Sequence, residues 1–397
     1  MKHFRKVLAL MLVAALCLCC FAACGNKTPE PETEPAETDA GTLKIGVIGP
    51  MTGGAALYGN AVKYGAQLAV DEINAAGGIN GMKVELNVQD DTHDAEKAVN
   101  AYNTLKDWGM QILVGTVTST PCIAVQELCA QDNMFLLTPS ATAVESIASP
   151  TAFRICFSDP NQGIASADYI ASKGLATKIG VIYNSQDAYS SGIYAKFAEK
   201  AETLGLEVVA AEAFTEDAKQ DFSVQLQKMK SAGAELIFLP IYATEAALIL
   251  SQAASAGIEA KFFGCDGLDG VLNVENFDTS LAEGVMLLTP FAKDASDEAT
   301  QNFVKAYLDA FNGDETYLIQ FAADAYDCLY AVKAAAEQAN IKADMSASEI
   351  CDLMVATMTT LSVDGVTGAG ITWSADGEPN KEPKAVVIED GAYKAMD

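Results

Sequence analysis

Residues 57–91 read LYGNAVKYGAQLAVDEINAAGGINGMKVELNVQDD. Val62, Ala66, Ala69 and Ile73 recur at helical spacing, and Gly77 and Gly78 follow where a left-handed C-cap falls, so the spacing predicts a helix over residues 60–76. Asn80-Gly81 is a turn dipeptide, and beyond it Val84, Leu86 and Val88 alternate with Lys83, Glu85, Asn87 and Gln89. That period of two marks a half-buried strand. With an apolar strand over 43–48 ahead of the helix, the stretch forms one strand-helix-strand unit.

Working outward, the same alternation continues. Strands are expected over 112–114 and 135–137, with helices over 95–108 and 121–131 between and after them, so a parallel sheet covered by helices follows. The pattern then restarts with strands over 178–183, 206–214, 236–239 and 262–264, separated by helices over 190–204, 222–232 and 245–256. The expected fold class is therefore α/β, with two doubly wound parallel-sheet lobes. A chain of 397 residues is long enough for both.

Sheets of this kind bind ligands at the carboxyl ends of their strands, which directs attention to the loops after Val114, Leu137, Tyr183, Leu239 and Gly264. The first loop reads GTVTSTP over 115–121; Thr120 suits an N-cap and Pro121 the first helical position. A helix N-terminus flanked by hydroxyls is a natural carboxylate site, although capping alone also accounts for these residues.

At the N-terminus, Lys2, Arg5 and Lys6 precede an apolar run over 7–23 that ends at Cys24, which reads as a secretory signal; an uncleaved membrane anchor is the competing reading. Residues 25–41 are rich in Pro, Glu and Thr and form a charge-extended tether. The formal charge of −28 becomes −31 when the three basic residues of the signal leave. Nucleic acid and anionic lipid surfaces are excluded as partners on that ground, and a solvated acidic surface accounts for the charge better than a cationic ligand does.

The inventory also argues against an enzyme. His93 is the one histidine remaining after the signal, its DDTHD setting reads as an acidic loop and helix cap rather than a metal site, and no GxSxG, HExxH or Walker motif occurs. No cofactor and no metal are expected. Cys122, Cys129, Cys156, Cys265, Cys328 and Cys351 show no CxxC spacing and read as buried free thiols.

The YG, GAxLAxxxIN and GGIxG elements of residues 58–81 resemble the branched-chain amino-acid-binding proteins of ATP-driven importers, which have the type I periplasmic-binding fold. The resemblance extends to TPSATA over 138–143, close to the family's TPxATxP, and to the late GVTG (365–368), Thr372-Trp373 and Asp376-Gly377 elements. It implies lobes of 42–158 with 290–379 and of 159–289 with 380–397, joined by three hinge crossovers near 158–160, 289–291 and 379–382. Residues 1–23 resemble a lipoprotein signal peptide, and 24–41 a lipidated Cys24 with its tether.

Carried over position by position, the resemblance implies a carboxylate site at Ser119, ligand contacts at Ser140, Ala141 and Thr142, and an ammonium site at Asp266. Tyr189 and Tyr242 would face the ligand from the second lobe, and Tyr58 and Gly267 would shape the side-chain pocket; for Tyr317, core packing competes with that role. The implied function is an extracytoplasmic, lipid-anchored solute-binding protein that delivers an amino acid to a permease and an ATPase on separate chains. A ligand-sensing subunit of a signalling receptor is the alternative on the same fold. Some family members pair two cysteines where this chain has His93 and Thr118, so that disulfide cannot form here.

Overall fold

The structure, a computed structural model, describes residues 41–396. The signal peptide, the tether and Cys24 lie outside the described residues. Among those described, no helix is long and apolar enough to cross a membrane.

The 57–91 stretch folds largely as its pattern dictates. Strand β1 (Thr42–Gly49) lies parallel to β2 (Lys83–Asp90), and helix α1 (Ala56–Ala75) crosses between them. The helix begins four residues earlier than the periodicity predicts, because the Asn60 amide donates to Met51 O at 3.0 Å and Ala56 O at 2.8 Å and so closes an extra first turn. Gly77 and Gly78 take φ of 102° and 77°, and Asn80-Gly81 take 52° and 82°. Positive φ at both turn positions suits Asn-Gly, and Ile79 and Met82 on either side exchange two 2.9 Å backbone hydrogen bonds.

The first sheet has the order β2-β1-β3-β4-β5, completed by β3 (Ile112–Gly115), β4 (Leu136–Thr138) and β5 (Ala152–Arg154), all parallel. Helices α2 (Ala95–Trp108) and α3 (Ser119–Asp132) bury one face against Ile48, Leu113 and Leu136. Ile45, Val47, Ile112 and Val114 point to the other, which α1 shares with the later helix α9 (Gln320–Gln338). Burial on both faces is what a parallel sheet requires. Helices α1 and α9 approach so closely that a Cβ on Gly65 would stand 2.0 Å from the Ala322 carbonyl oxygen.

The second sheet runs β12-β11-β10-β9-β8-β6-β7. Strands β6 (Lys178–Asn184), β7 (Glu207–Phe214), β8 (Leu236–Leu239), β9 (Lys261–Gly264) and β10 (Met286–Thr289) are parallel. To this doubly wound core, β11 (Lys384–Glu389) and β12 (Ala392–Ala395) add an antiparallel edge that the sequence reading leaves unassigned. Helices α4 (Asp159–Ser172) and α5 (Ala188–Leu204) pack on each other and cover one face through Ile170, Ile193 and Phe197. Helices α6 (Ser223–Ala232) and α7 (Ala243–Ser255) cover the opposite face.

The chain passes between the sheets three times: from β5 to α4, from β10 toward α8 (Glu298–Ala310), which packs with α1, and from the segment after α10 (Ala347–Met358) to β11. The late motifs hold this region together. Asp327 accepts from Val366 N and Thr367 N at 2.8 Å each, so the GVTG turn wraps a buried carboxylate. Trp373 Nε1 donates to Arg154 O at 2.7 Å, pinning the return segment beside β5.

Candidate functional site

Two loops of the first sheet meet at the start of α3. Thr138 donates to Thr116 O at 2.7 Å and Ser140 donates to Val117 O at 2.7 Å, so the loop after β4 is stitched to the loop after β3. Ser119 Oγ accepts from Thr142 N at 3.2 Å and Ala143 N at 3.1 Å. Two main-chain donors thus converge on one point at a helix N-terminus. The N-cap is Thr118, not Thr120, and it makes no side-chain cap bond; Pro121 falls third in the helix, where a missing N–H is equally harmless because the first four have no intrahelical partner.

The Thr120 hydroxyl has other work: it donates to Asp187 Oδ1, 3.2 Å away on the second lobe. Three more bonds close the lobes on each other. Tyr58 OH donates to Gly267 O at 2.6 Å and accepts from Ala243 N at 2.7 Å, and Thr244 Oγ1 donates to Gly54 O at 2.9 Å. The molecule is therefore in a closed arrangement.

On the second lobe, Tyr189 OH accepts from Gly267 N at 2.8 Å, and its ring stacks on Tyr242 at 4.9 Å and 12°. Tyr242 also meets Tyr58 at 5.3 Å and the edge of His93 at 5.5 Å, so it is the centre of an aromatic group drawn from both lobes. Asp266 is 3 % exposed, and its Oδ1 has no hydrogen-bond partner. Burial pushes its carboxyl up to about 7, with the nearby Tyr189 and Gln162 side chains pulling in the opposite direction. Ala141 is fully buried, and its carbonyl accepts from Arg154 Nη1 at 3.1 Å.

The structure therefore brings Tyr58, Tyr189, Tyr242, Asp266 and Gly267 together on one side, and Ser119, Ser140, Ala141 and Thr142 on the other. Tyr317 is elsewhere, 5.2 Å from Tyr64 in an aromatic cluster with Phe311. His93 Nδ1 and Thr118 Oγ1 lie 2.9 Å apart, so a hydrogen bond joins the two positions where some family members carry paired cysteines. The six cysteines of residues 122–351 are free and buried.

A chain with this fold and cleft can be set against known proteins. A family model described as periplasmic binding protein matches residues 42–392. The chain belongs to the periplasmic binding protein family. Among relatives of this binding protein, the Leu/Ile/Val-binding protein homolog 3 of Brucella melitensis is 32 % identical over 77 % of this chain and 81 % of its own length. A leucine-, isoleucine-, valine-, threonine- and alanine-binding protein of Pseudomonas aeruginosa is 32 % identical over 67 % and 72 %. The crystal structure of the branched-chain amino acid transporter substrate-binding protein LivJ from Streptococcus pneumoniae, in complex with isoleucine, superposes with a TM-score of 0.80. It is 30 % identical and covers 89 % of this chain and 98 % of its own.

A cavity of about 350 Å³ lies between the lobes of this binding protein, lined by His93, Lys97, Asp187, Lys219, Tyr242 and Glu245 among others. It does not include Ser119, Thr142 or Asp266. Its acids already have partners: Lys219 reaches Glu216 at 2.7 Å and Glu245 at 3.3 Å, and Asp187 holds Thr120. The unsatisfied atoms lie deeper. Besides Asp266 Oδ1 they include Thr142 Oγ1, Asp159 Oδ1 and Gln162 Nε2, all on residues no more than 3 % exposed; Asp91 Oδ2, Gln126 Oε1, Ser146 Oγ and Arg154 Nε also lack partners among the described residues. Buried polar atoms are seldom left unpaired, so the four grouped around Asp266 make a candidate ligand position.

Asp159 and Gln162 are the residues that sequence reasoning missed. Both sit in the first turn of α4, entered through the Ser158 N-cap, and Gln162 Oε1 accepts from Asp266 N at 3.0 Å. Their signal was the Ser-Asp-Pro that follows the apolar AFRICF run, an N-cap and helix start at the end of a strand.

Proposed function

We propose that this protein captures an amino acid, branched-chain or otherwise small and apolar, in the cleft between its lobes and delivers it to an ATP-driven importer. The reading rests on one observation above the rest: Asp266 of the second lobe is a buried carboxylate with an unpaired oxygen, and Thr142 of the first lobe, bonded through its amide to Ser119, carries a buried hydroxyl that is unpaired as well. A zwitterion stripped of water needs both poles met, and charge-assisted hydrogen bonds are about twice as strong as neutral ones. The hydroxyls of Ser119 and Thr142 take the carboxylate, and Asp266 takes the ammonium. Tyr58, Tyr189, Tyr242, Ala141 and Gly267 shape the side-chain pocket, and Ser140 holds the loop in place. The names of the Brucella, Pseudomonas and Streptococcus proteins support the choice of ligand class.

Because the two poles belong to different lobes, ligand stabilises the closed form by contacts the open form lacks. The hinges lie at 158–160, 289–291 and 379–382, dividing the chain into 42–158 with 290–379 and 159–289 with 380–397. Lipid on Cys24 anchors the protein outside the cytoplasmic membrane, and permease and ATPase are separate chains. The ligand leaves chemically unchanged.

A thermal-shift screen of the proteinogenic amino acids, followed by calorimetry, tests the reading. Leucine, isoleucine or valine raises Tm, Asp266→Ala abolishes the binding heat, and mass spectrometry recovers the ligand intact. Undiminished affinity in the Asp266 variant overturns the ammonium assignment.

A further inference from the structure

The cleft contains more buried acid than an amino acid's single ammonium group calls for. Asp159 is 2 % exposed; its N–H donates to Thr142 O at 2.9 Å, and its Oδ1, like that of Asp266, has no hydrogen-bond partner. Gln162, one turn along α4 from Asp159, accepts from Asp266 N at 3.0 Å and so ties the two acids to one place, and Asp159 Oδ2 lines the contact with Gly192 of α5, where a Cβ would come within 2.9 Å.

The charged groups around the pair do not neutralise it. Arg154 draws Asp159 toward the ionised form, but its terminal guanidinium nitrogens are held by Ala141 O at 3.1 Å, Ala143 O at 2.9 Å and Glu378 at 3.3 Å, and its Nε has no partner. Lys381, the other buried cation in the region, is engaged with Asp324 at 3.1 Å and with Thr367. Asp187, at the N-cap of α5, and Asp324 of α9 add negative charge. The remaining titratable neighbours, Tyr189, Tyr242, Cys156 and Cys265, are buried phenols and thiols held neutral by burial above all.

Two carboxyl groups in one water-poor space cannot both be ionised without a cation, and an unpaired buried charge costs several kcal/mol. We propose that the ligand-free cleft holds one proton on the Asp159–Asp266 pair and that the ammonium group of an arriving amino acid displaces it, so that binding expels a proton. The inference rests on the amino-acid reading above. The carboxyl O–H bond breaks, its electron pair stays on oxygen, the proton passes to water, and the ammonium keeps its three protons. The cleft then exchanges one unit of positive charge for another. Burial, which raises both carboxyls, agrees with this.

Affinity consequently falls with acidification, approaching about tenfold per pH unit where the empty pair holds its proton fully, and levels off once the pair has ionised. Carbon-13 NMR of labelled aspartates in the ligand-free protein tests the pair without any ligand. One proton is expected to be bound by Asp159 and Asp266 together at about pH 6, and Asp159→Asn is expected to lower the Asp266 midpoint by removing its like-charged neighbour. Full ionisation of both groups at that pH overturns the proposal. Calorimetry with L-isoleucine in two buffers of different ionisation enthalpy then counts about one proton released per ligand bound, and fewer than half as many in Asp159→Asn. Binding by the wild-type protein with no proton release also overturns the proposal. Absence of any isoleucine heat counts against the functional reading, and the NMR titration then decides the proton on its own.

Discussion

Tyr58 is the residue on which closure turns. Its hydroxyl, on the first lobe, is bonded to both Gly267 O and Ala243 N of the second, and all three groups are buried. Tyr58→Phe keeps the ring and leaves a buried donor and acceptor unpaired whenever the lobes meet, at about 1–3 kcal/mol. The closed population falls, small-angle scattering reports a larger radius of gyration, and ligand affinity drops about tenfold for each 1.4 kcal/mol lost. The chemistry of Tyr58 was legible only as a resemblance; nothing in its local sequence says that its hydroxyl reaches a residue 209 positions away.

At the scale of elements, α1 and α9 give the sharpest expectation. A glycine inside a helix normally costs about 1 kcal/mol relative to alanine, so propensity alone makes Gly65→Ala stabilising. The Ala322 carbonyl, 2.0 Å from the new Cβ, reverses the sign. The helices must separate, and a loss of about 1–3 kcal/mol is expected from overpacking, read as a lower Tm with the helical circular dichroism preserved. The correction at α3, where Thr118 rather than Thr120 is the cap, has a different origin. Capping preference is a local rule, and here a contact across the cleft takes the Thr120 hydroxyl first.

For the whole molecule, buried charge ties stability to pH. Lys381 meets Asp324 at 3.1 Å with both side chains under 5 % exposed, and burial pushes Asp324 up to about 6 even though the lysine pulls it down. Lys381→Met leaves the acid without a cation and is expected to lower urea-unfolding stability at neutral pH by about 3–5 kcal/mol. Asp269, pushed up to about 7 by burial despite accepting from Gln320 N, carries the opposite lesson. Its raised value gives stability that is full below the unfolded carboxylate range and is lost as pH rises through about 7. In Asp269→Asn, which mimics the protonated form, the wild type's advantage at low pH shrinks by at most about 1.4 kcal/mol per pH unit between about pH 4 and 7. A difference independent of pH across that window contradicts the assignment.

The amino-acid sequence by itself determined the alternation of strands and helices, because side-chain periodicity, Gly77-Gly78 and Asn80-Gly81 act over a few residues and need no distant partner. Helix α2 and strand β8 fall at the residues their patterns mark. It also pointed to the loops where Ser119, Thr142 and Asp266 lie. Only the tertiary structure decided which polar atoms remain unpaired, that β11 and β12 add an antiparallel edge, and that Asp159 and Gln162 join the site. Those facts depend on burial and on contacts between residues far apart in the chain, and local pattern carries no record of either.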